Sequence, residues 1–238
     1  MNNTKEQEPL RIIITGGSSG IGEAVALEMA KSGHSFYLTG RNEERLKKVC
    51  TSLSSSGCDA FYGVGDVGDE NNVEQLFEDI KLKLGGVDVV FANAGVGYFG
   101  NLEDLTINQF DEQFNTNVRG VFLWLNKTLP LLKNQNKGQI IVTSSDLGLK
   151  TGARCSLYAA TKHAVQAMVW CLREELKGTG VKAATINPGS VDTPWFDGKD
   201  VNRTKMLSAA DIAKAVRYII DQEETSDIDH ILLVPGKS

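Results

Sequence analysis

Apolar runs and amphipathic stretches alternate along the chain. Ile12, Ile13 and Ile14 form a β-branched run that reads as a buried strand, and it ends in a glycine cluster at Gly16, Gly17, Gly20 and Gly22. A helical pattern follows over 23–31. Further strands are predicted at 35–39, 60–64, 87–92, 139–143, 181–186 and 228–234. Helical spacing fills the intervals. Leu46, Val49 and Leu53 mark one face of 43–53, and Val73, Leu76, Phe77 and Ile80 mark the next helix. One long helical region is predicted over 107–132, another over 157–177, and a last over 209–220 with Ser208 and Asp211 placed to cap it. The run 87–92 is apolar without alternation, as expected where helices cover both faces of a sheet. No Pro/Gly/Ser-rich linker or repeat interrupts the order. The pattern predicts one α/β domain over 1–238: a doubly wound parallel sheet of seven strands with helices on both faces.

In such sheets ligands bind at the carboxyl ends of the strands. Several polar and glycine-rich segments fall there together: the glycine cluster, Gly40-Arg41-Asn42, Asp66, Asn93-Ala94-Gly95, Ser144-Ser145 and Pro188-Gly189. At Gly16, Gly20 and Gly22 a bare backbone would let a bound group come close. The helix that starts there offers free N–H groups and a positive dipole end. A dinucleotide pyrophosphate suits that corner.

Charge narrows the partners. A net charge of −5 with no basic block argues against nucleic acid or an anionic membrane surface. The polar first ten residues give no secretory signal, and no apolar run approaches a membrane span, so a cytoplasmic protein is expected. Cys50, Cys58, Cys155 and Cys171 form no Cys-x-x-Cys pair and no cluster with the three histidines. Reduced thiols are expected, with neither a metal site nor a disulfide framework.

Tyr158 and Lys162 lie four apart at a helix start and share a face. A free tyrosine has a pKa of about 10, and a neighbouring lysine cation is expected to lower it. Ser145 closes the strand before this helix. With Thr15-Gly16-x-x-x-Gly20-Ile21-Gly22, Asp66-Val67, Asn93-Ala94-Gly95, Asn117-Val118-x-Gly120 and Pro188-Gly189-x-Val191-x-Thr193, the chain resembles the short-chain dehydrogenase/reductase family from 12 to 193.

The resemblance implies a Rossmann fold and hydride transfer between a nicotinamide and a carbonyl or secondary alcohol. It makes Tyr158 the general acid or base, Ser145 the stabiliser of the substrate oxygen, and Lys162 the group that tunes Tyr158 and holds the nicotinamide ribose. Asn117 would position a water beside Lys162. Asp66 would bind the adenine amino group, Asn93 lies beside the adenosine ribose, and Val191 and Thr193 would hold the carboxamide. Ser18, Ser19, Val67, Ala94, Gly95, Pro188 and Gly189 complete the implied cofactor set. NAD-using members end the second strand with a carboxylate; here Gly40 is followed by Arg41, so NADP is expected, with Ser18 or Asn42 adding neutral hydrogen bonds and Glu43 and Glu44 pointing elsewhere.

Some positions depart from the pattern. Asp146 directly follows Ser145 and either faces the pocket or caps a turn. Cys155 lies near Tyr158 without a nucleophile's partner, and His163 reads as packing or surface. Trp195 and Phe196 open a short lid over 194–207, where Trp195 is either core or substrate-facing. The lid's charged residues lean against a long acyl chain or steroid. Residues 95–100 and 192–194 look closest to the sepiapterin-reductase-like and hydroxy-acid-dehydrogenase-like branch. The Gly-Gly tail of 3-oxoacyl-carrier-protein reductases is missing, though that activity stays an alternative. A silent dinucleotide sensor is a second alternative, but such proteins lose the Tyr or Lys kept here. An extended sugar-nucleotide epimerase is disfavoured by glycine spacing and length. The helical regions 107–132 and 157–177 carry more apolar surface than one sheet face needs. The family pairs these helices across a two-fold axis, which implies a homodimer or homotetramer.

Overall fold

β1 (Arg11–Thr15) is an interior strand of the sheet, and the alternation of its three isoleucines divides the core in two. Ile12 and Ile14 pack on one face with Val25, Leu46 and Val216, while Ile13 packs on the other with Val73, Trp124 and Val165. This follows from the two-residue period of a strand, which sends neighbours to opposite faces. The computed structural model describes residues 8–236. Most of the polar N-terminal stretch and the final Lys237 and Ser238 lie outside the described residues.

The remaining large-sheet strands are β2 (Ser35–Gly40), β3 (Ala60–Val64), β4 (Val89–Ala92), β5 (Gly138–Thr143), β6 (Val181–Pro188) and β9 (His230–Leu233). Their order is β3-β2-β1-β4-β5-β6-β9, and every pairing is parallel. Helices α1 (Gly20–Met29), α2 (Glu43–Ser55) and α7 (Ala209–Ile220) contribute to the first core. Helices α3 (Glu70–Leu84), α5 (Gly120–Gln135) and α6 (Ser156–Glu175) contribute to the second. This is the expected Rossmann arrangement.

Caps set several helix starts. Asn42 accepts from Arg45 N at 2.9 Å, Asp69 accepts from Asn72 N at 2.9 Å, and Ser208 with Asp211 forms the expected capping box. Gly33 (φ 70°) and Gly85 (φ 67°) end the first and third helical segments in the left-handed region that glycine tolerates.

Two details were not predicted. The region 107–132 is helical throughout as expected, but not uniformly α: α4 (Ile107–Phe114) passes through a π-helical turn, Asn115–Arg119, into α5. Gly120 then lies against Val67, where a Cβ would come within 2.8 Å of Cγ2. Periodicity hides such a widened turn because both flanks keep helical spacing. A small parallel ladder, β7 (Val191–Asp192) with β8 (Leu207–Ser208), joins the two ends of the lid and is too short for any pattern to predict. No helix among the described residues is long and apolar enough to cross a membrane.

Candidate active site

The carboxyl edge of the sheet holds a cavity of about 750 Å³ running from Arg41 and Arg45 past the glycine turn to Tyr158 and the lid. Of the residues singled out from sequence, Gly16, Ser18, Ser19, Gly20, Ile21, Arg41, Asp66, Val67, Asn93, Ala94, Gly95, Ser145, Tyr158, Lys162, Pro188, Gly189, Val191 and Thr193 line it. Gly22 and Asn117 do not.

The glycines also serve packing within the turn. A Cβ on Gly16 would lie 2.9 Å from Ala94 Cα, and one on Gly22 would lie 2.3 Å from Gly16 O. Both are required by the turn packing on itself and on the end of β4. Gly16 and Gly20 line the cavity; Gly20 has φ +61°, and a Cβ there would meet Thr193 at 3.3 Å. Ser19, at the N-cap of α1, makes no side-chain cap bond, so the first turn keeps N–H groups for another partner.

Asn93 is a strut. Its amide donates to Thr15 O at 3.2 Å and Gly16 O at 3.4 Å, and its Oδ1 accepts from Thr143 Oγ1 at 3.1 Å. Three strand ends are tied together through one side chain. Asp66 turns one carboxylate oxygen to Gly68 N at 2.8 Å, which fixes the loop after β3.

Tyr158 and Lys162 lie in the first turns of α6, which packs closely on Gly148; a Cβ there would come 2.9 Å from Lys162 O. Lys162 is buried, and its Nζ donates to Thr143 O at 2.8 Å and sits 5.6 Å from the Tyr158 ring centroid. Burial pushes the Lys162 pKa down to about 8. Burial also raises the Tyr158 phenol; the Ser145 hydroxyl pulls the other way, and Asp146 adds to the rise. The expected lowering by Lys162 is therefore corrected. Desolvation of the phenolate dominates, and the hydroxyl of Ser145 is the group that favours it.

Ser145 is held from behind. Asn187 Nδ2 donates to Ser145 O at 3.0 Å and to Gln166 Oε1 at 2.8 Å, both residues being fully buried. Ser145 Oγ lies 3.1 Å from Asp146 Oδ1 and 3.3 Å from Pro188 O, and accepts from Leu147 N at 3.2 Å. Asp146 faces the pocket, the first of its two readings, and also pairs with Lys150 Nζ at 2.8 Å; the cap of the turn is the Ser145 side chain. Asn117 is buried in the π-turn, with its amide bridging Val96 N and O at 2.8 Å each and Thr161 Oγ1 at 3.1 Å. Its side chain thus fixes the segment after β4, and its Oδ1 and Lys162 Nζ border the same bare backbone of Gly95, where a Cβ would lie 3.3 Å and 3.8 Å from them.

Cys155 does not line the cavity, its thiol meeting Gly152 O, and His163 is exposed. No cluster that could hold a metal ion occurs among the described residues. Trp195 and Phe196 line the cavity, with Trp195 edge-on to Tyr158. Sequence reasoning missed Arg45, Phe99, Leu147 and Ser190, which also line it. Arg45 carried a signal, a second basic residue in the first turn of the helix that follows Arg41.

Comparison with known proteins agrees with this geometry. Over 94% of this chain and 96% of its own length, an uncharacterized oxidoreductase of Staphylococcus epidermidis is 34% identical. The alcohol dehydrogenase of the archaeon Thermococcus sibiricus, solved with 5-hydroxy-NADP, superposes with a TM-score of 0.89 at 33% identity, covering 95% of this chain and 96% of that one. A short chain dehydrogenase/reductase of Burkholderia phymatum, solved with NAD, gives 0.88 at 26% identity over 95% and 89%. The sequence pattern of the short chain dehydrogenases matches residues 11–203, and the chain belongs to that family.

Proposed function

We propose that the protein is an NADP-dependent oxidoreductase that interconverts a carbonyl compound and its secondary alcohol. The carrying observation is that Tyr158, Ser145 and Lys162 share one wall of a cavity whose far end holds Arg41 and Arg45. The donor set suits a dinucleotide: an uncapped helix start, a glycine whose bare face narrows the cleft against Thr193, and two guanidinium groups at the β2 end. NADP, when bound, supplies or takes up the hydride. Tyr158 gives its proton to the carbonyl oxygen in reduction, a role that suits a phenol held protonated at neutral pH. Ser145 donates a hydrogen bond to the same oxygen as charge develops there. Lys162 holds the ribose end, and the Asn187–Gln166 pair keeps Ser145 in place.

The cofactor choice rests on β2. No carboxylate ends that strand, and Ser18 Oγ lies where a Gly40 Cβ would reach within 3.3 Å. Glu43 is turned to Tyr62, and neither Glu43 nor Glu44 lines the cavity. The two relatives solved with different cofactors make this a question for side chains rather than fold.

Assembly is part of the proposal. Phe110, Phe122 and Trp170 stay exposed on α4, α5 and α6, and Phe114, Val118, Phe122 and Met168 line a shallow groove between them. A second copy of the chain, meeting the same face across a two-fold axis, covers it. A carbonyl panel assayed by NADPH oxidation, beside titrations of NADPH and NADH, tests the function. NADPH is expected to bind about tenfold tighter, the scale of one charge-assisted contact. Equal binding overturns the NADP assignment, and tight NADPH binding without turnover of any carbonyl favours the sensor.

A further inference from the structure

The inference below rests on the carbonyl reductase reading and concerns its substrate. Tyr158 is hemmed in by two other rings. The Phe99 centroid is 5.0 Å from that of Tyr158 with planes at 44°, and Trp195 meets Tyr158 edge-on at 6.0 Å and 72°. Phe99 comes from the segment after β4, and Trp195 from a short helical turn after β7. They converge over Gly97. A Cβ there would lie 2.4 Å from Trp195 Cζ2 and 3.0 Å from Phe99 Cε2, so the two rings can close in only over bare backbone.

Phe99 is 47% exposed despite its size, and it lines the cavity with Trp195, Phe196 and Leu147. The charges nearby are already engaged. Asp146 holds Lys150 at 2.8 Å, and Arg203 holds Asp192 at 3.1 Å and Asp197 at 2.7 Å, which pins the lid. Lys199 Nζ lies 5.7 Å from the Trp195 centroid and 5.5 Å from that of Phe196, a cation–π contact with both rings.

We propose that Phe99, Trp195 and Tyr158 form an aromatic cup over Gly97 that selects carbonyl compounds bearing a flat ring next to the carbonyl, namely aryl ketones and aldehydes. Tilted and edge-on ring contacts are the geometry in which a further ring adds favourably. A flat ring also loses less rotational freedom on binding than an alkyl chain.

The test compares kcat/KM with NADPH for acetophenone and for octan-2-one, its carbon-matched alkyl counterpart. Acetophenone is expected to be better by about tenfold, the scale of two ring contacts. Phe99→Leu keeps apolar bulk but removes the ring, and should bring the ratio to within about twofold of one; Phe99→Tyr should restore it. Gly97→Ala should act as Phe99→Leu does, by wedging the rings apart. A wild-type ratio near one, or a ratio that survives Phe99→Leu, overturns the cup. Saturation-transfer NMR of the two ketones on the cofactor-free protein reads the cup apart from turnover. Stronger transfer to acetophenone, lost in Phe99→Leu, supports the cup even if no carbonyl is reduced, an outcome that would count against the reductase reading alone. Equal transfer overturns the cup whatever the turnover.

Discussion

The two ends of the cavity keep their cations in opposite surroundings. At the β2 end Arg41 stands in solvent, with 66% of its side chain accessible and its nearest carboxylate, Glu112, at 3.7 Å. At the β5 end Lys162 is 4% exposed and bonded to a backbone carbonyl. An exposed ion pair contributes about 0–1 kcal/mol and is screened by salt. The buried lysine, with its pKa brought to about 8, carries a cost of about 3 kcal/mol at neutral pH, before the bond to Thr143 O is counted. Under the proposed function, surface substitutions at the Arg41 end would change cofactor preference with little effect on folding. The proposed catalytic end is tied into the core, where Lys162, the group proposed to serve chemistry, opposes stability.

The sharpest way to break this contrast is Tyr158→Phe, which leaves the ring against Phe99 and Trp195 but removes the transferable proton. Turnover should fall by at least about a hundredfold while NADPH affinity stays within a few-fold; steady-state rates beside a fluorescence titration check it, and near-normal turnover would remove Tyr158 from the mechanism. Next in size, Arg41→Ala should erase most of the roughly tenfold preference for NADPH and barely alter NADH kinetics. Because Arg41 is exposed, the wild-type preference should also shrink as salt is raised, and a salt-independent preference would mean the determinant lies elsewhere.

Lys162→Met should abolish activity yet raise the stability of the cofactor-free protein at pH 7 by about 1 kcal/mol, the desolvation cost less the lost hydrogen bond. The sign follows from linkage. The folded pKa lies below that of the unfolded chain, so the unfolded state binds the extra proton between pH 8 and 10.5, and this lysine's contribution becomes more favourable as pH rises through that window. Chemical denaturation of both proteins at pH 7 decides it; a clearly less stable variant would show that the bond to Thr143 O outweighs desolvation. The smallest effect on the site is expected from Phe122→Glu, which puts charge on the exposed α4–α5–α6 face. It should yield a monomer by light scattering where the wild type is at least a dimer, with NADPH affinity within about twofold, since Phe122 does not line the cavity. A wild-type monomer would refute the assembly.

Legibility differed between these regions for the same physical reason. Where partners are near in sequence, the pattern spoke: the β1 turn, the Ser208–Asp211 box, and the shared face of Tyr158 and Lys162. Where a residue acts through something distant, the pattern was incomplete. It suggested ligand-side roles for Asn93 and Asn117 and gave no sign that their amides also tie together segments 78 and 44 positions away. Phe99 gave no signal, because its meaning depends on Gly97 and on a tryptophan in the lid.

The sequence by itself determined the strand and helix order, the parallel α/β class and the edge at which polar residues collect. Those depend on period, caps and turn chemistry, which act over a few residues. Tertiary structure alone decided which glycines serve packing, which hydroxyl opposes the rise in the Tyr158 pKa, and which rings close over the cavity. Those depend on burial and contact between segments that only folding brings together, and no local pattern encodes how much water is left around a side chain.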